Sequence, residues 1–164
     1  MTRLWHTLPW FCAFALAWLA NPAGAEDYRV GQVEVLAPWS LALPPNAPTA
    51  AAYFTVRNTG MADDRLVSVS SPVAAEAQLH EHLGADGMMK MQQVEGLIIP
   101  AAGQVRFAPF GSHVMLLGLG DRSQLVEGAH FPLTLHFQSA GDVEVQVQVL
   151  AEPPEGAGSH EHGG

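Results

Sequence analysis

The chain is poor in cysteine, with one in 164 residues, Cys12. That residue sits inside an N-terminal apolar stretch without lipobox-like surroundings, so a mature protein that has lost the stretch holds neither thiol nor disulfide. Packing alone must then stabilise the fold, and a site built on a thiolate, such as a blue-copper centre, is excluded. Basic residues are also few, seven Lys and Arg against sixteen Asp and Glu. A surface with that balance repels phosphate backbones and anionic lipids and mildly favours cations, which argues against a nucleic-acid partner. Helical periodicity is missing: no window keeps apolar residues at helical spacing over several turns, and the alanine-rich run 47–52 is interrupted by Pro48. No Ser-His-Asp pattern, nucleophile elbow or paired-carboxylate arrangement stands out, so no enzymatic activity is expected.

What is present begins with a leader. MTRLWHTLPWFCAFALAWLANPAGAED joins a basic start at Arg3, an apolar stretch from Leu8 to Ala20 and the small-x-small sequence Ala23-Gly24-Ala25. This is the pattern of a secretory signal cleaved after Ala25, and its apolar run makes a poor membrane span. The expected organisation is a signal peptide at 1–25, a single domain at 26–151 and a disordered tail at 152–164, with the mature chain in the periplasm and not inserted in a membrane. Loss of Arg3 leaves six basic residues against sixteen acidic ones, a formal charge of −10.

From Tyr28 onward, short runs rich in Val, Leu and Phe are broken by Gly, Pro, Asn and Asp at intervals of roughly ten residues, the rhythm of an all-β sandwich. YRVGQVEVLA, AAYFTVRN, DRLVSVSS, AQLHEHL, QVRFAPF, HVMLLGL, FPLTLHFQ and DVEVQVQVL all read as strands. The last alternates cleanly, with Val143, Val145, Val147 and Val149 on one face and Glu144, Gln146 and Gln148 on the other. LALPPNAPTA, residues 41–50, reads as a proline-stiffened loop. The segment from Glu152, EPPEGAGSHEHGG, is rich in Gly and Pro and low in apolar residues, hence the expected disorder.

Most histidines and methionines beyond the leader gather in three strand-like pieces, LHEHL, GMMKM and SHVML. Side chains at i and i+2 of a strand share a face, which pairs His80 with His82, Met89 with Met91, and His113 with Met115. Imidazole suits several first-row metals, but the thioether is soft and binds hard cations poorly, so a mixed His/Met set points to copper, chiefly Cu(I). Zinc would draw on Cys, His, Asp or Glu, and calcium or magnesium on oxygen. Unlike a thiol, methionine cannot be lost to a disulfide in an oxidising compartment.

His80 is followed after ten residues by Met91, and Met91 after twenty-one by His113-Val114-Met115. This spacing, together with YFTVRNTG (53–60), DRLVSVSSPVA (64–74), DGMMKM (86–91) and HVMLLGL (113–119), resembles the PCuAC-type periplasmic copper chaperones over nearly the whole mature domain. The resemblance implies a cupredoxin-like, Greek-key β-sandwich with one exposed Cu(I) site formed by His80, Met91, His113 and Met115. It also implies delivery of copper to a partner, the CuA centre of cytochrome c oxidase or a Sco-type chaperone. A copper-tolerance or storage protein, and a metal-free β-sandwich interaction module, are the alternatives. The chain departs from the family at Ala37-Pro38-Trp39-Ser40-Leu41, where an Arg often follows the family's Ala-Trp, a difference expected to touch local surface rather than the site.

Met89 reads as a packing neighbour of Met91, with substitute ligand as its alternative, and Met88 should point away and pack. His82 lies outside the spacing and reads as a neighbour of the site. His130 and His136 read as structural or surface residues, and Met61 as a turn residue. In the tail, His160 and His162 offer nitrogen ligands that suit Cu(II), set against a plain solvated terminus.

Overall fold

The computed structural model describes residues 28–85 and 88–157, and the side chains of residues 83–89 lie outside that description. The expected leader at 1–25 and the tail histidines His160 and His162 also lie outside the described residues.

Alternation of apolar and polar residues sets the strands. They are β1 (Tyr28–Val30), β2 (Val33–Leu41), β3 (Thr49–Asn58), β4 (Asp64–Ser70), β5 (Ala74–Ala85), β6 (Met88–Val94), β7 (Leu97–Ile99), β8 (Gln104–Phe107), β9 (His113–Leu119), β10 (His130–Phe137) and β11 (Gly141–Leu150). In β11, Val145, Val147 and Val149 are fully buried while Glu144, Gln146 and Gln148 are exposed, as the alternation requires. The only helical turn among the described residues is the short 3-10 segment Arg122–Leu125.

One hydrogen-bonded path runs β6-β5-β9-β3-β2-β11-β10-β4-β7, with β1 added on β2 and β8 on β3. The path turns at the parallel contact of β2 with β11, which spans three residue pairs from Trp39 with Gln148 to Leu41 with Leu150. Inner faces on both sides of that turn supply one core: Val33, Phe54, Leu79, Phe107 and Leu116 from one side, Leu66, Ile99, Phe131, Leu133 and Val147 from the other. Two facing layers of alternating strands around such a core are a sandwich arrangement.

β8 and β9 share one edge of β3. β8 pairs Gln104–Phe107 with Phe54–Arg57, and β9 pairs Val114–Leu117 with Thr49–Ala52, both antiparallel. They therefore run in line, and Ala108–Ser112 is an excursion between them, closed by Ala108 N–H donating to the Ser112 carbonyl at 2.9 Å and Gly111 N–H to the Ala108 carbonyl at 3.0 Å. At its tip Phe110 holds a φ of 65°, unusual for a residue with a Cβ.

Several boundaries differ from the sequence expectation. YRVGQVEVLA divides in two because Gly31, at φ 55°, opens a turn that pairs Val30 with Val33. QVRFAPF stops being a strand at Phe107, where the excursion starts. The loop expected at 41–50 is shorter, since Leu41 still belongs to β2 and Thr49 opens β3. β7, three residues long, gave no signal of its own; its pairing with Asp64–Leu66 of β4 makes it a strand. Residues 152–157, expected as the start of a disordered tail, are held to the domain, because Arg106 donates to the Gly156 carbonyl at 2.6 Å and Ala157 is buried.

Candidate metal centre

Strand register brings the soft side chains together. β5 lies between β6 and β9, and His80 is the direct partner of both Gln93 and His113. Gln78 is opposite Met115, and His82 is opposite Met91. Directly paired residues share a face, so Gln78, His80, His82, Met91, His113 and Met115 all stand on the side of the sheet turned away from the core. The residues between them, Leu79, Val114 and Leu116, are core. A slip of one residue would bury the imidazoles and expose the aliphatics, so the apolar set fixes the register that assembles the polar one.

The ring centroids of His80 and His113 are 5.5 Å apart, and those of His82 and His113 are 6.0 Å apart. Two imidazoles on one metal, at a metal–nitrogen distance of about 2.0 Å, place their centroids roughly 5 to 6 Å apart. Both pairs meet that requirement. His113 is 5% exposed and its ring is fixed, because Nδ1–H donates to the Gly111 carbonyl at 3.0 Å. His82 Nδ1–H likewise donates to the Phe110 carbonyl at 2.6 Å. A carbonyl oxygen only accepts, so both rings carry a proton on Nδ1, which leaves Nε2 as the nitrogen each can offer a metal.

A different chain of bonds orients His80. The Gln78 amide NH2 donates to Glu76 Oε1 at 2.7 Å, which leaves Gln78 Oε1 to accept from His80 Nε2–H at 2.8 Å. The free lone pair of neutral His80 is then on Nδ1. That atom is the one buried side-chain nitrogen or oxygen among the described residues without a hydrogen-bond partner. Burial, and then the neighbouring His113, hold the His80 imidazole below its ordinary pKa. A neutral imidazole with an unspent lone pair is the form that binds a metal.

The rim is apolar and open. Met91 is 49% exposed and Phe110 65% exposed, while Met115 is half-buried beside Gln78. On the far side of His113, Tyr53 lies 6.5 Å from the imidazole by ring centroids and Trp39 4.5 Å from Tyr53. Trp39 reaches that face through a bulge: β2 uses one extra residue between Leu36 and Trp39, with Ala37 at φ 46°. The Ala-Pro-Trp departure noted in the sequence thus backs the tyrosine next to the site. Among the described residues no three His, Cys, Asp or Glu side chains converge as a metal site. Closed zinc and oxygen-lined calcium arrangements are absent there, and imidazole with thioether is the donor set at hand.

A sequence profile described as "Putative lipoprotein LpqE-like" matches residues 33–149. The chain belongs to the LpqE-like family. Relatives include "Putative lipoprotein Lxx21020" of Leifsonia xyli subsp. xyli, 37% identical over 60% of this chain and 59% of the relative, and the uncharacterized protein RP573 of Rickettsia prowazekii, 29% identical over 64% and 58%. This LpqE-like chain therefore spans about three fifths of the length of those relatives. Solved structures that resemble it include the copper-bound PCuAC domain from PmoF2, with a TM-score of 0.67, 28% identity and coverage of 77% of this chain and 99% of that one. The Cu(I) form of DR1885 from Deinococcus radiodurans matches with a TM-score of 0.59 at 30% identity, over 79% of this chain and 84% of that one. The all-β, cupredoxin-like fold expected from the sequence is the fold of the LpqE-like chain, and its likeness to PCuAC domains extends to sequence.

Of the four expected ligands in the LpqE-like chain, register makes His80 and His113 direct neighbours and puts Met115 two places along the same face of β9. Met91 is paired not with His80 but with His82, one step diagonal to His80. Two features escaped the sequence reading: the Glu76–Gln78 bonds that orient His80, and the Phe110 and Gly111 carbonyls that orient His82 and His113. Only the first left a trace, the period-2 series Glu76, Gln78, His80, His82. Met61 is fully exposed, and His136 contacts Ser70 at 3.1 Å and Asp142 at 2.9 Å. The Met88 and Met89 side chains lie outside the described residues.

Proposed function

We propose that this protein is a copper chaperone of the periplasm, which holds Cu(I) through His80, Met91, His113 and Met115 and passes it on by ligand exchange. The observation that carries the proposal is the directly paired His80 and His113 with an orphaned, buried Nδ1 on His80. A buried polar atom without a partner costs about 1–3 kcal/mol, and a metal–nitrogen bond recovers that cost. Thioethers at an open rim select a soft ion and let go of it in weak single steps. The copper-bound PCuAC domain from PmoF2 and the Cu(I) form of DR1885 support copper as the cargo.

The reading includes residues 1–25 as an export signal and a partner such as the CuA centre of cytochrome c oxidase or a Sco-type chaperone as acceptor, with no catalytic turnover. Cu(I) binding should weaken as pH falls through the histidine range, because a protonated imidazole cannot ligate. The test is an anaerobic Cu(I) competition titration of residues 26–164 beside the H113A/M115A double variant. One tight equivalent that weakens at least 100-fold in the variant supports the site. No tight binding, or equal binding by both proteins, overturns it.

A further inference from the structure

His113 has two imidazole neighbours at nearly equal distance, and only one of them belongs to the ligand set proposed above. Register alone would favour His80, which is directly opposite, over His82, which is diagonal. The centroid separations nevertheless differ by only half an ångström, 5.5 against 6.0 Å, so the His113 ring is near both. The two neighbours differ in setting. His80 is tied to Gln78 of its own strand, whereas His82 is opposite the exposed Met91 and tied to the excursion that carries Phe110.

We infer that His82 is an alternative ligand for the same ion, which exchanges between a His80–His113 pair and a His82–His113 pair. This rests on the copper reading of the site. His113 is the shared donor, being the most buried of the three and locked by the Gly111 carbonyl just ahead of its strand. His82 is prepared for the role: its Nδ1 proton is spent on Phe110, so Nε2 is the nitrogen it can offer. The two imidazole pairs are used in turn and not together, which agrees with the lack of any converging three-residue cluster. Exchange from His80 to His82 carries the ion along β5 toward Met91, the exposed end of the ligand set, with His113 kept as a ligand throughout. Release to an acceptor then starts from the outer pair.

A double-mutant cycle on Cu(I) affinity tests this, with variants chosen to keep the local hydrogen bonds. H82N places an amide N–H near the former Nδ1–H and removes the ligating nitrogen, and H80Q does the same for the former Nε2–H. If His82 replaces His80 when needed, H82N alone costs less than 3-fold in affinity and H80Q alone about 10-fold. Together they cost more than 300-fold, well beyond the product of the single losses. Circular dichroism and a thermal melt of each metal-free variant check that the fold is kept, and the pair H82A and H80A repeats the cycle if either fails. An H82N effect of the same size in both backgrounds, with tight binding by the wild type, removes the role assigned to His82 and leaves the copper reading standing. Absence of Cu(I) binding by the wild type overturns both.

Discussion

Asp64 and His80 are polar side chains set into the same β framework, and their atoms are treated in opposite ways. At the head of β4, the buried Asp64 carboxylate accepts from the backbone N–H groups of Arg65, Ser139 and Ala140, at 2.7, 2.9 and 2.9 Å. Nearby Asn58 is equally satisfied: its amide donates to the Ala62 and Ile99 carbonyls, and its oxygen accepts from Gly60 N–H. On β5, by contrast, His80 keeps a buried nitrogen unpaired. The first corner ties β3, β4, β7 and the β10–β11 turn together, and a stranded donor there would only cost stability. The second leaves a lone pair free beside a second imidazole, a cost that the proposed copper binding would convert into affinity.

Breaking the satisfied corner should have the largest effect on folding. D64A strands backbone donors in a buried site and should lower stability by about 2–4 kcal/mol, with Cu(I) affinity of the remaining folded protein unchanged within 2-fold. Chemical denaturation and the competition titration measure the two quantities, and a large loss of affinity would erase the division of labour between the corners. At the other corner H80L removes the orphaned nitrogen and keeps an apolar body of similar reach. The metal-free variant should stay within about 1 kcal/mol of the wild type, or exceed it, while its Cu(I) affinity drops. A variant destabilised as much as D64A would show that His80 holds the fold as well as the ion.

The smallest effect separates the corners by pH. The His80 pKa is depressed in the folded protein, so below about pH 6.5 the unfolded chain takes up a proton that the folded one refuses. Stability of the metal-free protein should therefore begin to fall as pH drops below that value, and the part due to His80 should vanish in H80L. For Asp64, burial pushes the carboxyl up, but the N–H donors of Ser139, Arg65 and Ala140 outweigh it and hold it below the ordinary carboxylate range. Its contribution is present above about pH 4 and lost as pH falls through the folded value. Two separate limbs in a denaturation series, one removed by H80L and the other by D64A, are the expected result; a single limb untouched by either substitution would contradict it.

Strand alternation, the absence of helical period and the His/Met spacing were all legible in the chain because each is written in local order. A strand's side-chain period is two, so HVMLLGL by itself puts His113 and Met115 on one face and Val114 and Leu116 on the other. The chemistry of imidazole and thioether then names a soft metal without any coordinates. What the chain could not show is which strand stands beside which. Register between β5 and its two neighbours, set by the burial of Leu79, Val114 and Leu116, decided that His80 meets His113 and that Met91 meets His82 instead. The excursion at Ala108–Ser112, which aims two carbonyls at two imidazoles, depends on β8 and β9 sharing one edge of β3 and has no local signature beyond a proline and a glycine. Residue type and spacing therefore determined which atoms could bind a metal, and long-range strand pairing alone decided which nitrogens stand close enough to share one.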